Sequence, residues 1–162
     1  MVNVPYGCLL VLCFCDLVQL APTNQIEEVT TLTRRQLTKE EMKNIGKTCM
    51  SETGVKLETI LRAIKEDIPK NDEKYKSFLV CSYKKQGYLS EDGATMLYDN
   101  LYSFLQQSAG YAKEDLHYIE NCKNITAALP GDLCLKNLLC ILDGLHKAEN
   151  NREIDTNSIE SS

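Results

Sequence analysis

The residues able to do chemistry are few: eight cysteines, two histidines and scattered carboxylates in a chain of 162 residues. His117 and His146 are far apart, and neither sits in a His-Glu-x-x-His pair. The chain holds no Gly-x-Ser-x-Gly elbow and no glycine-rich phosphate loop. A secreted helical phospholipase would need a histidine beside paired cysteines, and Cys122 has none. The chain is therefore read as not an enzyme, with no cofactor and no metal, and both histidines as solvated surface imidazoles. Ser90-Glu-Asp-Gly93 has the look of a calcium loop but lacks the alternating acids and the trailing glutamate, so it is read as a helix-entry turn. Asn124-Ile-Thr126 is a glycosylation sequon, which makes Asn124 a candidate modification site in a secreted chain. With 23 acidic and 18 basic residues the net charge is −5, which disfavours nucleic acid as a partner.

What remains is cross-linking. Cys8, Cys13 and Cys15 lie in an apolar run, Tyr6-Gly-Cys-Leu-Leu-Val-Leu-Cys-Phe-Cys15, followed by Asp16. Too short to span a bilayer, the run reads as the core of a secretory signal over residues 1–21, with the cut placed between 15 and 24. Five cysteines follow it: Cys49, Cys81, Cys122, Cys134 and Cys140. No Cys-x-x-Cys pair offers zinc spacing, so disulfides in an oxidising, extracellular compartment are expected, with one thiol left over.

The elements that must hold these thiols are helical. Residues 22–37 are Thr-rich, without sustained period, and read as an extended lead-in. Thr38-Lys-Glu-Glu41 fits a capping box ahead of Met42, Ile45 and Cys49 at helical spacing, and Gly54 closes that helix. Leu57, Ile60, Leu61, Ile64 and Ile68 form one apolar stripe that ends at Pro69. Asn71-Asp72 caps a third helix carrying Tyr75, Phe78, Leu79, Val80 and Cys81 to Gly87. A fourth carries Met96, Leu97, Leu101, Phe104 and Leu105, and a fifth runs from about Ala112 to Lys123. Pro130-Gly-Asp132 opens a sixth, apolar nearly all round from Leu133 to Leu145, as a buried helix is. No segment alternates at period two, so no strand is expected. The tail from residue 149 to 162 holds four acids against Arg152 and is expected to be disordered. The reading is an all-α, six-helix, disulfide-stapled domain over residues 38–148.

Spacing and wording together point further. Cys49-x31-Cys81-x40-Cys122, with Leu37-Thr-Lys-Glu-Glu-Met42, Cys49-Met-Ser-Glu-Thr-Gly-Val55, Phe78-Leu-Val-Cys81 and Gly87-Tyr-Leu-Ser-Glu-Asp-Gly93, resembles the insect odorant-binding protein (pheromone/general odorant-binding) family over residues 35–148. Members of that family usually carry six cysteines, the second four residues before the third. Here that position is Ser77. If Cys140 is the sixth, the fifth position falls on Gly131 and Cys134 is extra; if Cys134 is the fifth, the sixth falls on Asp143. Either register breaks the second–fifth bridge, as in the subgroup of the family that has lost that pair. The resemblance implies Cys49–Cys81 and Cys122–Cys140, with Cys134 a free thiol near Ser77. Cys122–Cys134 with Cys140 free stays open. Cys134–Cys140 is excluded, because six residues of helix rise about 9 Å, beyond the reach of a disulfide.

The resemblance also implies a fold enclosing an apolar cavity, and a secreted carrier of small hydrophobic ligands. Candidate lining residues are the inward apolar ones, Ile60, Ile64, Phe78, Tyr83, Leu97, Leu101, Phe104, Tyr118, Leu138 and Leu142, with Tyr83 or Tyr118 offering a hydroxyl to an alcohol, ester or carbonyl. The missing bridge implies a more plastic pocket, and the tail, with only Ile154 and Ile159 among polar residues, is expected to stay outside it. The expected partners are the ligand and, indirectly, a membrane receptor, the chain itself being a monomer or weak dimer. The alternative is a secreted helical signalling or salivary interaction protein with a dry core.

Overall fold

A computed structural model of the chain describes residues 37–65 and 67–160, with side chains through Arg152. The apolar N-terminal run read as a secretory signal, and the lead-in as far as residue 36, lie outside the described residues.

Helix α1, Lys39–Thr53, starts where the capping box placed it. The Thr38 hydroxyl accepts the Glu41 N–H at 3.2 Å, and the Glu41 carboxylate accepts the Thr38 N–H at 2.8 Å. Gly54 ends it at φ 65°, a left-handed conformation that glycine adopts without strain. Helix α2, Leu57–Ile64, stops one turn short of the stripe's last member, Ile68. The N–H groups of Lys65 and Asp67 both bond back to the Arg62 carbonyl, and Pro69 pushes Ile68 away from helical backbone. Helix α3, Glu73–Gln86, is capped by the Asp72 carboxylate, which accepts from the N–H groups of Lys74 and Tyr75 at 2.9 and 3.1 Å. The Ser90–Gly93 turn is closed by an isolated antiparallel bridge, Leu89 to Met96, and leads to α4, Tyr98–Gln107. Apart from that bridge the described residues hold no β-structure.

The fifth segment, η1, Lys113–Asn124, is wound as a 3-10 helix. It lies against α5, Pro130–Glu160, at Gly144, where a Cβ would stand 2.5 Å from Ile119 Cγ2 and 2.6 Å from the Tyr118 carbonyl oxygen. Only glycine permits that approach. Helix α5 is the centre of the fold, with Leu133, Cys134, Leu138, Ile141 and Leu145 all 0–4% exposed. It packs on η1 and α3, and α3 packs on α1.

Helix α5 also corrects the expectation of a disordered tail, since it continues through Arg152 to Glu160. Its polar residues grip η1 and the loop before it. Tyr111 donates to Glu149 at 2.7 Å, Asn151 donates to the Tyr118 hydroxyl, and the Arg152 guanidinium pairs with the buried Asp115 carboxylate and lies over the Tyr111 ring. Low hydrophobicity suggested disorder, yet here polar contacts with a neighbouring segment order the first turn beyond the apolar stripe.

Two disulfides tie these elements. Cys49–Cys81 joins α1 to α3 and Cys122–Cys140 joins η1 to α5, with Cα separations of 5.7 and 5.8 Å. This is the pairing the resemblance implied. Among the described residues Cys134 is the free cysteine. No helix of the described residues is long and apolar enough to cross a membrane.

Candidate ligand-binding site

Of the ten candidate lining residues, Ile60, Phe78, Tyr83, Leu101, Leu138 and Leu142 are buried in one continuous apolar core, and half-buried Ile64 and Phe104 pack against it. The other two lie apart from it. Leu97 is half-buried and lines a surface groove with Met96, Asp99 and Lys123. Tyr118 is half-buried, with its ring against His117 and its hydroxyl accepting from Asn151.

The buried face of α3 carries the core's unusual chemistry. Tyr75, Ser82 and Tyr83 are 0–1% exposed, and among the described residues their three hydroxyls have no hydrogen-bond partner. Helical geometry puts Ser82 two turns beyond Tyr75, on nearly the same bearing, with Tyr83 one residue further round. A buried hydroxyl without a partner forfeits its bonds to water and gains nothing in return, at a cost of about 1–3 kcal/mol. Three on one helical face is a concentration of that cost where ordinary core would place leucine.

The surroundings are aromatic and neutral. Tyr83 meets Tyr88 edge-on at 6.1 Å, Tyr88 meets Phe104 at 5.7 Å, and Tyr75 stacks on Phe78 at 6.4 Å. Burial raises the Tyr75 and Tyr83 phenols far above the ordinary tyrosine range, and the neighbouring Cys134 adds to the rise at Tyr83. Burial likewise pushes the Cys134 thiol up to about 12, so it stays protonated and is a poor nucleophile. Tyr98, by contrast, donates to Asn137 Oδ1, and the Asn137 amide donates to the Leu133 carbonyl at 2.9 Å. That neighbouring buried pair is satisfied.

Ser77 is exposed, and its hydroxyl donates to the Glu73 carbonyl at 2.8 Å. Across from α3, Gly131 comes so near Lys76 that a Cβ there would stand 2.9 Å from Lys76 Cβ. Ser77, Val80, Leu129 and Gly131 line a surface groove of about 300 Å³. Lys76 spans it, ion-paired to Glu73 and to Asp132, each at 2.8 Å. Cys140 pairs with Cys122, while Cys134 is fully buried in the core. Asn124 and Thr126 of the sequon are exposed, at the end of η1.

A family model described as the PBP/GOBP family matches residues 33–144. The chain belongs to this family. These are the insect odorant-binding proteins, a family of carriers rather than enzymes. No curated protein and no solved structure matches the chain. Membership accounts for the helix order, the two bridges and the apolar interior of this odorant-binding domain. The sequence singled out Tyr83 but passed over Tyr75 and Ser82. The signal was present in their spacing, since residues 75, 82 and 83 share the helical face of the buried Phe78 and Leu79.

Proposed function

We propose that this protein is a secreted carrier that takes up one small hydrophobic molecule among α2, α3, α4 and α5. The observation that carries the reading is the set of unpartnered hydroxyls of Tyr75, Ser82 and Tyr83 inside an otherwise apolar core. A core selected only for stability would pair or delete such groups. A ligand site keeps them for a guest. Ile60, Phe78, Leu101, Leu138 and Leu142 supply the apolar wall, and the two disulfides supply stability that denser packing would otherwise provide. No metal, cofactor or catalytic group takes part. The carrier acts as a monomer or weak dimer and serves a membrane receptor indirectly, by delivering its load.

Displacement of a fluorescent apolar probe tests this. The chain has no tryptophan, so the signal must come from the probe. Saturable uptake of N-phenyl-1-naphthylamine at micromolar concentration, with one probe per chain, is expected. A dry signalling bundle would give no saturable uptake, and that result overturns the carrier reading.

A further inference from the structure

We propose that Asn124 receives an N-linked glycan as the chain is secreted, so that the mature protein is a glycoprotein modified on the segment joining η1 to α5. The inference rests on the secreted reading and adds a covalent modification that ligand carriage does not require.

Asn124-Ile-Thr126 is the one sequon in the chain, and no proline stands at its middle position. Asn124 and Thr126 are both exposed, and neither side chain makes a hydrogen bond among the described residues. Asparagines elsewhere are committed to the fold: Asn137 is buried, Asn100 donates to the Gly87 carbonyl, and Asn151 donates to the Tyr118 hydroxyl.

The backbone holds the sequon outward. Asn124 ends η1, where the Ile125 N–H bonds to the Cys122 carbonyl at 3.1 Å, and Ile125 is extended, at φ −73° and ψ 127°. Extended backbone sends successive side chains to opposite sides. Half-buried Ile125 packs against the core, which leaves Asn124 and Thr126 together on the outer side. A bulky, polar glycan attached there meets solvent instead of packed side chains. The nearby Cys122–Cys140 bridge does not block its addition. A chain entering the secretory lumen N-terminus first presents Asn124 before Cys140 arrives, so the acceptor is open while that bridge is still unmade.

The donor is a lipid-linked diphosphate oligosaccharide. The Asn124 amide nitrogen attacks C1 of the first sugar, a carbon–nitrogen bond forms, the bond from C1 to the phosphate oxygen breaks, and lipid diphosphate leaves. One amide proton passes to a base of the transferase, and nothing is oxidised or reduced.

The test is cell-free translation of the full chain with endoplasmic-reticulum microsomes. The protease-protected product should gain mobility on treatment with endoglycosidase H. Asn124→Gln and Thr126→Ala should each abolish that mobility shift, and Thr126→Ser, which keeps the hydroxyl, should retain it. A protected product that endoglycosidase H leaves unchanged overturns the proposal, and so does a shift that survives Asn124→Gln. A chain left outside the microsomes and open to protease is a different result, because it removes the secreted reading along with this one.

Discussion

If the hydroxyls on α3 are kept for a guest, the empty protein carries them at a cost, and deleting them should stabilise it. Tyr75→Phe and Tyr83→Phe each remove one oxygen and leave the ring, with its buried area and its stacking, in place. Tyr75 is 0% exposed and Tyr83 1%, and neither hydroxyl has a partner among the described residues. Each variant should therefore recover part of the penalty of about 1–3 kcal/mol for an unpaired buried polar group. At the lower bound of about 1 kcal/mol, a domain of this size gains about 4 °C in Tm. Tyr98→Phe is the internal control. Its hydroxyl donates to Asn137, which is 0% exposed, so removing it strands that amide oxygen and should cost about 1–2 kcal/mol, with a matching fall in Tm. The assay is thermal unfolding of ligand-free, delipidated protein followed by circular dichroism, under conditions that keep both disulfides intact. If Tyr75→Phe and Tyr83→Phe lower Tm as Tyr98→Phe does, the two phenols are satisfied in the free protein and the reasoning from unpaired donors fails.

Other outcomes follow from the same structure. Replacing Cys122 and Cys140 together by serine opens a loop whose ends are 18 residues apart, so chemical denaturation should show a loss of about 3 kcal/mol by the loop-entropy relation. Gly144→Ala forces a methyl against Ile119 and the Tyr118 carbonyl and should cost about 1–3 kcal/mol through overpacking, read as a lower denaturant midpoint. Iodoacetamide at pH 8 should leave Cys134 unlabelled in native protein and label it once guanidinium unfolds the chain. Cys134 also fixes the sign of an alkaline effect. Its folded pKa is raised from 9.0 to about 12, so its contribution to stability is whole below pH 9 and is lost as pH rises through that window, which stability measurements between pH 8 and 11 should detect as a decline.

The sequence was legible where local chemistry decides structure. The capping box at Thr38, the Asp72 cap, and Gly54 and Gly87 as stops all mark helix ends that the fold keeps, because each satisfies backbone groups within a few residues. The apolar stripes also located most of the core. What could not be read depends on partners distant in sequence. The helical tail was hidden because Arg152 and Glu149 find Asp115 and Tyr111 nearly 40 residues upstream, and composition alone sees only polarity. Leu97 and Tyr118 were grouped with the interior because apolar character does not say which way a side chain faces at the start of α4 or along η1. The candidate site was half legible. Helical register placed Tyr75, Ser82 and Tyr83 on one face, but only three-dimensional packing shows that their hydroxyls meet no partner while Tyr98 meets Asn137.

The most direct test of an interior site is a methyl-resolved NMR titration of the isotope-labelled protein with 2-undecanone. Ile60, Leu101 and Leu138 are 0–1% exposed in the core, while Leu57, Leu61 and Leu129 are 45–60% exposed on the surface. Saturable shifts of the core methyls at one ligand per chain are expected, with the surface leucines unmoved. Shifts confined to Leu57, Leu61 and Leu129, with the core methyls silent at saturation, would contradict an interior site.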